Sequence, residues 1–223
     1  MHKKFYRTLT TLAVSCATLL AVQHAYAQSN EIYGGIGSDG IGAGYGFSPN
    51  TYVTVRGEVS GFSFSHSFSA GDLNYDATVK LIHGALYADF FPIPTVVPMH
   101  LTAGLIIGGD ELDGDATPVG GTYTINGQTV SANGESIHAS AKYPTVRPYL
   151  GFGFGHHLGA KGFSVAFDAG VAFGRPRVSF DVPADIAAQA GQENVAAEER
   201  NLQDKADDFR FYPIVKVAAT YRF

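Results

Sequence analysis

The sequence predicts an all-β protein, a transmembrane antiparallel up-and-down β-barrel of eight strands with a short helical excursion before the last one. Three observations predict it. After residue 27 no run of 18 consecutive apolar residues occurs, so no helix is expected to cross a bilayer. Segments of roughly ten residues with period-two alternation recur instead, separated by turn chemistry, as membrane-barrel strands require. The composition agrees: 27 Gly, 16 Phe and 12 Tyr beside only 16% charged residues favour strands over helices.

The N-terminus sets the compartment. A basic "MHKKFYR" precedes the apolar "TLTTLAVSCATLLAV", which is too short and wrongly flanked for a spanning helix. "AYA" before "QSN" supplies the small residues of a cleavage site, so residues 1–27 are expected to be a cleaved secretory signal and 28–223 the barrel domain. A lipoprotein cut before Cys16 fits worse, because Ala13 stands where Leu is usual and "ATLLAV" would stay on the mature chain. Cleavage after Ala27 removes the one cysteine, so no disulfide framework is expected. It also removes Lys3, Lys4 and Arg7, leaving twelve basic residues against 20 acidic ones and shifting the formal charge from −5 to −8. An acidic exported chain without a basic cluster excludes nucleic acid as a natural partner.

The strands follow in order. "NEIYGGIGS" and "GIGAGYGFSP" flank Asp39-Gly40, a favoured hairpin dipeptide. "TYVTVRGEVSGF" sets Val53, Val55 and Val59 against Thr54, Arg56 and Glu58. In "LNYDATVKLIHGALYADFF" the polar residues Asp76, Thr78 and Lys80 lie on one parity and His83, Tyr87 and Asp89 on the other, which predicts a β-bulge near residues 80–82. "PIPTVVP" is a turn, since proline cannot donate to a ladder. "MHLTAGLIIGGDEL" turns Leu101, Leu105 and Ile107 outward and His100, Thr102 and Asp110 inward. Residues 113–138 form a polar excursion with a hairpin at Asn126-Gly127. "YPTVRPYLGFGFGHH" and "FSVAFDAGVAFGRPRVSFDV" bring Arg147 and Asp168 inside, the second breaking at Gly174-Arg175-Pro176. Residues 184–208 are rich in Ala, Glu and Gln and predict the helical excursion. The last strand, "FYPIVKVAATYRF", alternates to its end. Eight strands return both termini to the same side, with the longer excursions on the other.

A soluble sandwich also alternates, but its polar face meets bulk water and favours Lys and Glu. Here that face carries Gly, Tyr, Thr and a nearly balanced set of charges: Arg56, Glu58, Lys80, Asp89, Asp110, Arg147, Asp168, Arg210, Lys216 and Arg222. Mixed charge among small spacers suits the interior of a narrow closed barrel, where ions must pair. Closure also removes strand edges and satisfies backbone groups in lipid.

Phe223, preceded on its own face by Tyr221, Ala219 and Val217, resembles the C-terminal signal by which outer-membrane barrels are recognised for assembly. The chain as a whole resembles the small eight-stranded outer-membrane family, OmpA transmembrane-domain-like, OmpX-like and OmpW-like. That resemblance implies an integral outer-membrane protein with both termini periplasmic. The partners it implies are outer-membrane lipid, lipopolysaccharide and the barrel assembly machinery. It implies no cofactor and no nucleic acid, and leaves any host or surface ligand unidentified.

Candidate chemistry is sparse. Some barrels of this size are lipid A deacylases with a Ser/His/acid site, but "GHHLGAKGFS" places Gly159 two residues after His157, so their His-x-Ser-type motif is absent. His156 and His157 are expected at the periplasmic rim as turn residues. His83, His100 and Asp89 are expected to hydrogen-bond inside the barrel. Asp110, Glu111, Asp113 and Asp115 cluster without calcium-loop spacing and suit a solvated acidic loop. "GGIGSDGIGAGYG" mimics a dinucleotide fingerprint without the strand–turn–helix context. The expected function is therefore non-enzymatic: a structural or surface-interaction barrel with a largely plugged interior. A narrow solute channel, suggested by the glycine-lined strand faces, is the alternative, and a lipid A-modifying enzyme the third.

Overall fold

The computed structural model describes residues 29–70, 72–157 and 161–223. The expected signal segment, residues 1–27, lies outside them. Thirteen β-strands and two α-helices occur among the described residues. In chain order they are β1 (Ser29–Gly37), β2 (Gly40–Asn50), β3 (Val53–Ala70), β4 (Leu73–Phe90), β5 (Met99–Gly108), β6 (Glu111–Pro118), β7 (Thr122–Ile125), β8 (Gln128–Ser131), β9 (Ile137–Lys142), β10 (Val146–Phe154), β11 (Gly162–Phe173), β12 (Arg177–Asp181), α1 (Ala184–Ala190), α2 (Gln192–Asp207) and β13 (Phe211–Arg222). No helix among them is long and apolar enough to cross a membrane.

The antiparallel ladders close. Passing from β1 through β2, β3, β4, β5, β10, β11 and β13 returns to β1, with Glu31 opposite Arg222 at the seam. The last residue belongs to that seam, since Phe223 and Asn30 exchange backbone hydrogen bonds of 3.0 and 3.3 Å. A sheet closed this way leaves no ladder edge around its girth. Its outer wall exposes Ile32, Ile36, Val59, Leu86, Leu101, Leu150 and Val217, while Arg56, Asp89, Arg147 and Asp168 are buried inside. Exposed apolar side chains around the girth with buried charge within is the inverse of a water-soluble core, and it suits a hydrocarbon surround.

One side of the barrel continues upward as an extension. β4 keeps a single register while it changes partner: His83 faces Gly108 of β5, and Lys80 faces Glu111 of β6. β9 continues β10 alongside β6 in the same way, with Tyr143-Pro144-Thr145 between them. β12 pairs with β9 at the extension's far edge.

Where the strands leave the ring, both faces exchange chemistry. The outer face runs from Val59 and Leu86 to Ser63, Lys80 and Glu111, while the inner face runs from Glu58, Ser60 and His83 to Phe62, Phe64, Val79 and Leu112. This overturns the expected bulge at residues 80–82. Register is continuous from Val53–Phe90 to Ala70–Leu73, and the β2–β3 ladder instead shifts register between Phe47 and Asn50. The change of parity in the sequence marks an exchange of solvent, not an extra residue.

Above this level α1 and the β7–β8 hairpin cover part of the apolar face. Tyr123, Ile125, Val130, Ile137, Ile186 and Ala190 form a small core there. The hairpin turns at Asn126 (φ 45°) and Gly127 (φ 81°), as the Asn-Gly pair predicts. The Tyr123 hydroxyl donates to the carbonyls of Ala116 (2.6 Å) and Glu135 (2.8 Å), tying the hairpin to the sheet. In contrast, α2 buries none of its residues.

Candidate functional site

The ring encloses two charge clusters separated by a belt of tyrosines. The first lies at the end carrying the termini. Arg56 of β3 donates from Nε to Asp89 (2.6 Å) and from one terminal nitrogen to both Asp89 (3.1 Å) and Asp168 (2.9 Å). Its guanidinium lies against the rings of Tyr33 (5.6 Å) and Tyr87 (5.1 Å). Such a planar fork satisfies two carboxylates at once and stacks on aromatic faces, which lysine cannot do. Asp168 also meets His100 Nε2 at 3.0 Å, and Thr102 donates to Asp89 at 2.8 Å.

Below Arg56, Glu31 joins His156 Nδ1 at 2.6 Å and Arg222 at 2.7 Å. Arg222 reaches the hydroxyl of Ser48 at 2.9 Å. His156 is therefore no rim residue: it is 1% exposed, and its φ of 52° folds the chain back over the ring's interior. His157 does sit at the turn, where partial burial and the nearby Arg222 hold its imidazole below the usual range. His83, His100 and Asp89 all hydrogen-bond inside the ring, but not as one group. His100 Nε2 lies 3.9 Å from Asp89, but His83 belongs to the other end.

In that second cluster Lys216 Nζ joins Glu58 and, at 2.7 Å, Asp39. His83 bridges Asp39 (3.2 Å) and Asp110 (3.0 Å), and Asp110 also holds Arg147. Tyr87 stands between the clusters, with Lys216 Nζ 5.5 Å from its ring centroid. Ile106, Tyr149 and Ile214 complete the belt.

Two residues expected inside lie elsewhere. The Lys80 side chain is 53% exposed and faces Asp113 at 3.7 Å, because β4 has left the ring there and its parity points outward into water. Arg210 is exposed, in the 3-10 turn before β13 rather than on the strand, and its guanidinium covers Phe211 at 5.0 Å.

The glycine-lined faces are not vacant. A methyl group on Gly44 would collide with the ring of Tyr33, and one on Gly170 with that of Tyr149. These glycines make room for large rings from neighbouring strands, an approach no other residue permits.

The remaining motifs do not assemble. Ser164 pairs with Thr220 at 2.6 Å rather than with a histidine. The acidic stretch disperses: Asp110 points inward, while Glu111 and Asp115 pair with Lys142 (2.6 Å) and His138 (2.9 Å) on the outer face. The Lys142 hydrogen bond holds the Glu111 carboxyl below its ordinary range. Among the described residues no group of three or more His, Cys, Asp or Glu side chains is arranged to hold a metal ion.

No protein-family model matches this sequence, and no curated protein does. Solved structures do. The crystal structure of Acinetobacter baumannii CarO superposes with a TM-score of 0.59 at 21% identity, covering 86% of this chain and 97% of CarO. That of CarO2, from the same organism, gives 0.61 at 21% identity over 89% of this chain and all of CarO2. With its ladders closed, its wall apolar and its charges buried, this chain has the fold of the small outer-membrane β-barrels.

Proposed function

We propose that this chain is a non-enzymatic integral outer-membrane protein whose closed barrel does not conduct, with a structural or surface-interaction role carried by the extension. Its eight crossing strands are β1, β2, β3, β4, β5, β10, β11 and β13. Both termini are periplasmic, residues 1–27 are removed on export, and the extension with α1 and α2 stands outside the cell. Outer-membrane lipid and lipopolysaccharide surround the wall. The barrel assembly machinery reads Phe223, Tyr221, Ala219 and Val217, which lie exposed along one face of β13.

The observation that carries this reading is the filling of the ring. The space between Tyr33, Gly37, Asp39, Glu58 and Lys216 holds about 10 Å³. That is at the lower limit for one water molecule. The glycine faces that favour a channel in the sequence are occupied by Tyr33 and Tyr149. The inversion of both sheet faces at Gly61, Ile82 and Gly109 supports a membrane boundary at that level.

The deciding experiment is planar-bilayer conductance of the purified, refolded protein. A silent membrane is expected, and reproducible unit steps refute the plugged interior. Identical gel migration of heated and unheated samples, with recovery in the soluble periplasmic fraction, refutes the membrane barrel itself.

A further inference from the structure

We propose that the groove between α2 and the extension sheet binds the aliphatic chain of a free long-chain carboxylate. The groove has a volume of about 420 Å³ and is lined by Ala77, Leu112, Val178, Leu202, Ala206 and Phe209. This size falls within the roughly 300–1,000 Å³ of small-molecule sites, which combine apolar walls with a few polar groups. It exists because α2 crosses the apolar inner face of the sheet without burying any of its own residues there. Phe209 remains 65% exposed beside it. Tyr143 lines the groove as well and lies over Arg147 at 5.3 Å, on the barrel side.

The head group follows from charge. Lys205 borders the groove and forms no ion pair among the described residues, whereas the neighbouring acids Asp113 and Asp207 are engaged by Lys80 and Arg175. An ammonium left free at the mouth of an apolar slot complements a carboxylate on an alkyl chain. The source follows from level. The sheet's outer face carries Lys80, Glu111 and Lys142 here, so the groove stands in water above the hydrocarbon, out of reach of bilayer acyl chains.

The test uses the mature full-length protein in lipid nanodiscs and radiolabelled dodecanoate below its micelle-forming concentration, with empty nanodiscs as the reference. Saturable binding of one dodecanoate per chain is expected above that reference. Ala206→Trp and Leu112→Trp, which fill the groove from opposite walls, should each reduce binding to the empty-nanodisc level. Lys205→Glu should weaken binding by up to about tenfold, the range of an exposed ion pair turned into a repulsion. Dodecyltrimethylammonium, with the same chain and opposite head charge, should not displace the label. No saturable excess for the wild-type protein overturns the proposal. Unchanged binding by both tryptophan variants, each shown to be folded by heat-modified migration, overturns the location. Equal displacement by the ammonium compound overturns the carboxylate.

Discussion

Arg56→Met removes the guanidinium that Asp89 and Asp168 share inside the ring, while keeping a side chain of similar length between Tyr33 and Tyr87. Removing one partner of a buried ion pair costs about 3–5 kcal/mol, because the remaining charge is left unpaired in low dielectric. Two carboxylates are affected, yet the cost is not doubled. Asp168 keeps His100 at 3.0 Å, and Asp89 keeps Thr102 at 2.8 Å. The expected loss is therefore about 4 kcal/mol, read as a fall of roughly 1.5–4 M in the urea midpoint of vesicle-embedded protein. Adding Asp89→Asn removes the more dependent of the stranded charges. The double variant should regain about 1–2 kcal/mol relative to Arg56→Met, a coupling that independent sites do not show. Equilibrium unfolding in urea, followed by tyrosine fluorescence and heat-modified migration, measures both. A change under about 1 kcal/mol for Arg56→Met, or strict additivity in the double variant, refutes the view that this pair network holds the ring's interior together.

Three further outcomes are expected. Gly44→Val meets the ring of Tyr33 and should cost about 1–3 kcal/mol by overpacking, whereas Gly57→Ala meets only Leu86 Cδ2 at 3.8 Å and should lie within about 0.5 kcal/mol of wild type in the same unfolding assay. Nitroxide labels should report the membrane boundary: at Val59 the label should favour oxygen as relaxing agent, and at Ser63, four residues along the same outer face, it should favour a water-soluble nickel complex. Equal accessibility at the two positions removes the boundary. Phe223→Asp should strongly lower the heat-modifiable fraction in outer membranes at low expression, because one half-exposed ring contributes only about 1.5–3 kcal/mol or less to the folded barrel, whereas a lost assembly signal leaves every strand unpaired; near-normal amounts of that variant eliminate the assembly role.

Much of the ring was legible because lipid imposes a strict rule. Every outward residue of a crossing strand must be apolar, so parity alone assigned Arg56, Asp89, Arg147 and Asp168 to the interior. The rule stops at the membrane surface. Lys80 was misassigned because polar residues were still read as interior above that level, which required a bulge the strand does not have, and Arg210 by extending β13 back into the preceding turn. Most of β6 and the start of β9 fell within the polar excursion read at residues 113–138 for the same reason, since their outward face meets water and carries Asp113 and His138, whereas β12 was read as the continuation of the preceding strand past Gly174-Arg175-Pro176. Only the Asn-Gly hairpin was recoverable there, because its turn is specified by backbone conformation rather than by solvent. The place of His156 was hidden as well. It follows from a left-handed backbone conformation after Gly155, and from a carboxylate 125 residues away at Glu31.

β3 and β4 each run for 18 residues from the ring into the extension without a turn or a change in register. Their joint passage through the polarity boundary makes the exposed tip a cantilever rather than a tethered arm. Hydrogen bonds to neighbours on the β4 side continue past the boundary, so no pivot is built in at the membrane surface. A pull on the tip is delivered along the backbone to the wall, where the load spreads into the ladders on either side. Whatever touches the extension is thereby held at a fixed height and a fixed bearing above the lipid, as on a mast stepped through the deck.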